Sequence, residues 1–307
     1  MRKEAKRNRE ERKDAKAKLL MIQGTSSGAG KSTLVTGLCR FFADKGYSVV
    51  PFKAQNMSSN SYVANSGTSA RSGIMALVQA VQAVASRKDP DTRMNPILLK
   101  PLGNYRSRVF VNGRLHSDMY AKEYYRSFVV QHGFPIVLEA LQSLRQENDL
   151  VIIEGAGSPA EINITKYDIA NMLLAEKVRA PVILVADIER GGCFASIVGT
   201  MRLLRPAHRR LVKGFLINKF RGDNSLLTPA IESIQRMTRR QVLGIIPKIE
   251  FDLPQEDSLD NRPGSSLEFN KDPTNLLGAD SWTMQIDLVA KAIEKWINTK
   301  RIEKLVC

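Results

Sequence analysis

Cysteine and histidine are nearly missing from this sequence, three of each in 307 residues. Cys39, Cys193 and Cys307 stand far apart and odd in number, so they offer no CxxC pair and no disulfide framework. That scarcity fits a reducing compartment, and a cytoplasmic protein is expected. His116, His132 and His208 lie in unrelated contexts with no metal-ligand spacing, which leaves them surface or packing roles. Cys39 falls on an apolar helix face, "LCRFF", and Cys193 in "RGGCFAS" lacks the flanks of a nucleophile elbow, so no Cys-His-acid set is recognisable. No apolar run approaches the ~18–20 residues of a membrane span. The first residues carry no apolar stretch ahead of a small-residue cleavage site, so neither a secretory signal nor a membrane partner is expected.

What the chain does have is ordinary globular composition, 43% hydrophobic and 25% charged, at a length that allows a large core. One large domain with appendages is expected: a basic extension over 1–18, a main domain over 19–250, and an irregular segment with a final helix over 251–307. The net charge is +15, of which the first twenty residues supply +5 and the remainder +10. A basic body draws anions toward it, whether polyphosphate, polycarboxylate or nucleic acid. The arm itself reads as a solvated, frayed helix, with RNA or an acidic partner as the sharper alternative.

From Leu19 onward short apolar runs alternate with helical patterns. "LLMIQ", "YSVVPF", "LVIIE", "PVILVA", "GFLIN" and "VLGIIP" read as buried strands, while "PIVLEALQSLRQEN" and "IVGTMRLLRP" read as helices between them. Near-continuous apolar strands separated by helices predict an α/β fold, a doubly wound and mostly parallel sheet covered on both faces. After Pro247 the pattern dissolves into Pro, Asp, Asn, Ser and Gly. It resumes in a last helix around "MQIDLVAKAIEKWINTK", whose Ile286, Val289, Ile293 and Ile297 share one face. That face would dock on the sheet or form a dimer contact, and a homodimer is expected.

"MIQGTSSGAGKSTLV" is a phosphate-loop variant in which the first glycine stands one place early, at Gly24, with an additional Gly28. Main-chain N–H groups at the head of the following helix bind phosphate oxygens, Lys31 reaches the terminal phosphates, and the Ser32 hydroxyl can ligate Mg²⁺. The predicted nucleotide-binding set is Gly24, Thr25, Gly28, Ala29, Gly30, Lys31, Ser32 and Thr33. Glu154 ends the apolar run "LVIIE" and is followed at once by glycine, the position of a magnesium-holding acid beside a phosphate loop. Asn218 and Lys219, after a late strand, resemble a base-reading "NK" element. Just past the second strand, "PFKAQNMSSNSYV" gathers Lys53, Gln55, Asn56, Ser58, Ser59, Asn60 and Ser61 where ligands of open α/β sheets bind. Turn chemistry alone would explain such a loop equally well.

These stretches together resemble the cobyric acid synthase family, specifically its N-terminal ATP-dependent amidotransferase domain. The resemblance runs from about Lys18 to Leu259 and also takes in "MNPILLKP", "EGAGSPAEIN", "DIANM", "LVADIERGGCFAS" and "LPQEDSL". It implies the phosphate-loop fold shared with dethiobiotin synthetase and, more distantly, with partitioning and Mrp-type ATPases. It also implies an activity: ATP with Mg²⁺ phosphorylates a peripheral carboxylate of a corrin, and ammonia displaces phosphate to leave an amide, taking adenosylcobyrinic acid a,c-diamide to adenosylcobyric acid in cobalamin biosynthesis. On that reading Lys31, Lys53 and Glu154 are catalytic and Ser32 and Glu154 hold the metal. The corrinoid would meet Gln55, Asn56, Ser58, Asn60, Gly157, Ser158 and Asn163.

Two departures accompany the resemblance. The family continues into a class I glutaminase domain with no counterpart after "EDSL", so free ammonia or a separate glutaminase subunit is expected. The family's Gly-Arg-Ala-Gln run before the "MNP" block is here Ala76, Leu77, Val78 and Gln79, which loses an arginine. Three alternatives stay open: a regulatory ATPase of the Mrp or partitioning kind, a degenerate paralogue, and a carboxylase like dethiobiotin synthetase. Thr25, Ser26 and Ser27 stand where the first of these expects an additional lysine.

Overall fold

A computed structural model describes residues 16–65, 67, 71–251, 253–254 and 279–306. The basic arm over 1–15 and most of the irregular segment lie outside the described residues. The centre is a six-stranded sheet in which every pairing is parallel. Its strands are β1 (Lys18–Gly24), β2 (Val49–Phe52), β9 (Leu150–Glu154), β10 (Val182–Asp187), β11 (Val212–Phe220) and β12 (Gln241–Pro247), in the order β12-β11-β10-β1-β9-β2. The six predicted apolar runs are these six strands.

Residues two apart on a strand share a face, and the core divides accordingly. Leu20 and Ile22 pack with α1 (Lys31–Asp44) through Leu34, Val35 and Leu38, whereas Leu19 and Met21 join the opposite core with Val137, Leu141 and Leu144 of α3 (Phe134–Glu147). Helices on both faces explain why the strands are apolar throughout rather than alternating. The chain leaves β1 toward β2 and β9 on one side, then crosses to β10, β11 and β12 on the other. The carboxyl end of β1 is therefore a topological switch point, where such sheets open a crevice.

Between β2 and β9 lies a second small sheet that the sequence reading does not contain. β3 (Gln55–Met57) pairs parallel with β6 (Ile97–Gly103), which continues antiparallel into β7 (Arg106–Val111) and β8 (Arg114–Tyr120). A short β4 (Ser61–Ala64) and β5 (Gly73–Ala76) hairpin leads into α2 (Leu77–Ala85). The last predicted helix is α8 (Ala279–Trp296), followed by α9 (Thr299–Val306). Ile286, Val289, Ile293 and Ile297 are buried, and α8 lies along α1. Four shorter helices, α4 (Met172–Val178), α5 (Cys193–Leu203), α6 (Pro206–Leu211) and α7 (Thr228–Thr238), complete the layers.

Candidate functional site

The loop from Gly24 to Gly30 runs from the end of β1 to the first turn of α1. Gly30 sits at φ +97°, and a β-carbon there would lie 2.0 Å from Asn218 Nδ2, so this position needs glycine twice over. Asn218 Nδ2 donates to the Ala29 carbonyl at 2.9 Å. Lys219, itself at φ +62°, donates to the Gly28 carbonyl at 2.7 Å and pairs with Asp187 at 2.8 Å. The "NK" pair from β11 thus braces the phosphate loop from outside. Lys31 Nζ donates to the carbonyls of Ser26 at 3.1 Å and Gly157 at 3.0 Å, tying the loop to the segment after β9.

Glu154 lies one layer deeper and is fully buried. Its Oε1 accepts from Ser32 Oγ at 2.8 Å and from Lys53 Nζ at 2.8 Å, and its Oε2 accepts from Gln82 Nε2 at 2.5 Å. Burial works against ionisation here, but the Lys53 charge and the donors from Lys53, Gln82 and Ser32 outweigh it and hold the carboxyl below its ordinary range. Lys53 is also fully buried. The resemblance implies a catalytic role for Lys53, and the structure turns its ammonium onto Glu154. The physical reason is that a lysine without solvent needs a counter-charge. Ser32 and Glu154 together offer hard oxygens at the head of α1, a donor set that fits Mg²⁺, which takes few protein ligands and keeps its water. Gln82 was missed, yet a signal existed: Gln79 and Gln82 are the polar residues of an otherwise Leu, Val and Ala helix. Gln79 Oε1 accepts from Asn56 Nδ2 at 2.8 Å, so both glutamines serve buried polar partners.

A cleft of about 880 Å³ opens over this corner. Gly28, Gly30, Lys31, Ser32, Thr33, Asn218 and Lys219 line one side; Gln55, Asn56, Gly157 and Ser158 line another. Ser58, Asn60 and Asn163 do not line it. Ser58 is buried and its hydroxyl is spent on the Asn60 main chain, an internal turn bond, while Asn163 is exposed elsewhere on its loop. Gly24 and Thr25 lie behind the lining, Thr25 donating its N–H to Val185 O at 2.8 Å and accepting at its hydroxyl from Ser196 at 3.2 Å. Val78, in the run that departs from the family, gives the cleft an apolar wall.

Asp168 and Asn171, of the "DIANM" block, belong to the site although no role was assigned to them. Asn171 grips both main-chain polar groups of Ala156, accepting its N–H at 3.0 Å and donating to its carbonyl at 2.6 Å. Asp168 Oδ1 accepts from the N–H groups of Ala170 and Asn171 and from Asn171 Nδ2. Burial pushes the Asp168 carboxyl up to about 6 against these donors. Cys39 and Cys193 are buried, and desolvation pushes both thiols up to about 12, which leaves them inert. Among the described residues no three His, Cys, Asp or Glu side chains gather as a metal cage, and no helix is long and apolar enough to cross a membrane.

The sequence profile of the CobQ/CobB/MinD/ParA nucleotide binding domain family matches residues 20–258. The chain belongs to this family. Its nucleotide-binding domain is similar to "Probable cobyric acid synthase" of Thermococcus kodakarensis, 54% identical over 80% of this chain and 50% of that protein. It is likewise similar to cobyric acid synthase of Desulfitobacterium hafniense, 49% identical over 78% of this chain and 46% of that protein. The chain spans about half the length of the curated relatives it matches. Among solved structures, the signal recognition particle receptor FtsY of Elizabethkingia anophelis with GDP aligns at a TM-score of 0.44. That alignment is 16% identical and covers 75% of this chain and 57% of that one.

Proposed function

We propose that this domain carries out ATP-dependent amidation of corrin carboxylates, the reaction the relatives' name denotes, through an acyl phosphate. The observation that carries the reading is the shared cleft: the phosphate loop with Lys31 and Ser32 lines one opening together with the amides of Gln55 and Asn56 and the Gly157–Ser158 segment. Phosphoryl transfer needs positioning and charge neutralisation more than a protein nucleophile, and the site has the former without the latter. Lys31 leaves its carbonyl partners for the terminal phosphates of ATP. Ser32 and Glu154 would hold Mg²⁺, which neutralises phosphate charge when bound. Lys53 and Gln82 keep Glu154 ionised and oriented, so Lys53 acts through the carboxylate. The catalytic unit is the domain over 19–250, working in the cytoplasm as a homodimer on ammonia that is free or delivered by a glutaminase.

The test is turnover of ATP with Mg²⁺, ammonium and the corrinoid a,c-diamide, with mass spectrometry of the corrinoid. Replacement of hydroxyl by amino at successive carboxylates, matched by ADP, supports the ligase. Lys31→Ala is expected to abolish both ADP and product; near-normal turnover in that variant would remove the phosphate-loop assignment. The apolar run Ala76–Val78 favours one other reading, a regulatory ATPase of the MinD/ParA kind. Hydrolysis indifferent to the corrinoid, with no product, would select it.

A further inference from the structure

The acids that line the cleft among the described residues are Glu161, Asp168 and Glu189. Glu189 is paired with Lys248 and Arg221, and its bond from Lys248 holds it below the ordinary carboxylate range. Glu161 is exposed to solvent. Glu154, beneath the cleft, is held by three donors and is the acid assigned above to Mg²⁺. Asp168 differs from all of these. Its Oδ1 takes every hydrogen bond the side chain makes among the described residues, from Ala170 N at 3.3 Å, Asn171 N at 3.1 Å and Asn171 Nδ2 at 3.2 Å. Its Oδ2 makes no hydrogen bond among the described residues, and the residue lines the cleft.

The carboxyl is also fixed relative to the phosphoryl site. Asn171, which Asp168 orients, clamps Ala156, and the neighbouring Gly157 carbonyl accepts from Lys31. Only a short run of bonds separates Asp168 from the phosphate-loop lysine. A half-buried cleft carboxylate held by one oxygen, with no hydrogen bond on the other among the described residues, has the build of a group that accepts a proton during a reaction.

We propose that Asp168 is the general base of the amide-forming step. The inference rests on the ligase reading above. Ammonia needs a base because its nitrogen must shed a proton once it bonds to carbon. In the step assigned here the nitrogen lone pair forms the C–N bond to the acyl phosphate. The acyl C–O bond breaks with its electron pair leaving on phosphate, and one N–H proton passes to Asp168 Oδ2, from which solvent removes it.

Two nucleophiles separate this role from a structural one. Hydroxylamine traps an acyl phosphate as a hydroxamate and, being largely neutral and a stronger nucleophile, does not depend on an enzymic base. With ATP, Mg²⁺ and the corrinoid a,c-diamide, Asp168→Asn is expected to form hydroxamate within about threefold of the unaltered protein while amide formation from ammonium falls about 100-fold or more. Asp168→Glu, which retains the carboxylate, is expected to recover part of the amide rate. Parallel loss of hydroxamate and amide in both variants would make Asp168 a brace for the loop and overturn the assignment. Undiminished amide formation in Asp168→Asn would overturn it equally. If the unaltered protein forms neither hydroxamate nor amide, the ligase reading fails first and the assignment goes with it.

Discussion

Glu154 is fully buried and Asp168 half-buried, and their surroundings move the two carboxyls in opposite directions. At Glu154 the adjacent ammonium of Lys53 and three donors overcome desolvation, so the native state holds the ionised form more firmly than the unfolded chain does. Its stabilising contribution is present above the unfolded value of 4.5 and is lost as the pH falls through the lower folded value. Lys53→Ala strands that charge without solvent, and a loss of about 3–5 kcal/mol is expected at neutral pH. Urea unfolding measures it, and the deficit should shrink in acid, where Glu154 protonates. At Asp168 desolvation prevails, with Glu161 adding to it and donors from Ala170 and Asn171 opposing it; Tyr125, packed from the helical turns before α3, feels the same negative charge. Here stability is full below 3.8 and falls as the pH rises to about 6. Asp168→Asn retains the Oδ1 acceptor and removes the charge, so the variant is expected to be more stable than the parent at pH 7, by on the order of 1–3 kcal/mol. That gain should vanish below pH 4 in urea titrations. A substitution that stabilises the fold while removing activity is the mark of a residue kept for function.

The packing of α8 on α1 turns on one glycine in a helix interior. A β-carbon at Gly37 would lie 2.4 Å from Ile293 Cδ1 and 2.8 Å from Val289 Cγ1. Gly37→Val should therefore push α8 outward, at a cost of about 1–3 kcal/mol of overpacking. Val289 and Ile293 also line the cleft, so weaker nucleotide binding should accompany the lower melting temperature. A variant that melts and binds nucleotide like the parent would mean α8 seats elsewhere in solution. This contact also marks what could be foreseen. Helical spacing identified the apolar face of Ile286, Val289, Ile293 and Ile297, but a period says which residues face inward and nothing about what they meet. The six central strands were legible because burial on both faces makes each a continuous apolar run, and Glu154 because it ends one. The β6–β8 hairpins were not, although Asn112-Gly113, both at positive φ, is a strong turn signal between alternating strands. Gln82 and Asp168 were lost for different reasons: the partner of Gln82 lies 72 residues away, whereas the partners of Asp168 are two and three residues on, a local turn whose place beside the cleft no local pattern reveals.

Charge acts over the molecule as a whole. The net +15 is spread over arm and body, and the cleft brings Lys31, Arg190, Lys219 and Lys248 together against three acids. Both proposed substrates, ATP and a corrin bearing several carboxylates, are polyanions that such a field draws in from beyond contact distance. The Debye length contracts from ~30 Å at 0.01 M salt to ~8 Å at 0.15 M, so approach loses its guidance over that range. Within the cleft, by contrast, charges a few ångströms apart are screened far less. Raising salt is therefore expected to lower kcat/KM for the corrinoid by about tenfold or more while kcat changes little. Initial rates across a salt series at saturating ATP would measure the split. A matching fall in kcat would mean that salt reaches the chemistry itself. If neither constant moved, the positive charge would be serving a partner other than these anions, and the basic residues outside the cleft would be the place to look for it.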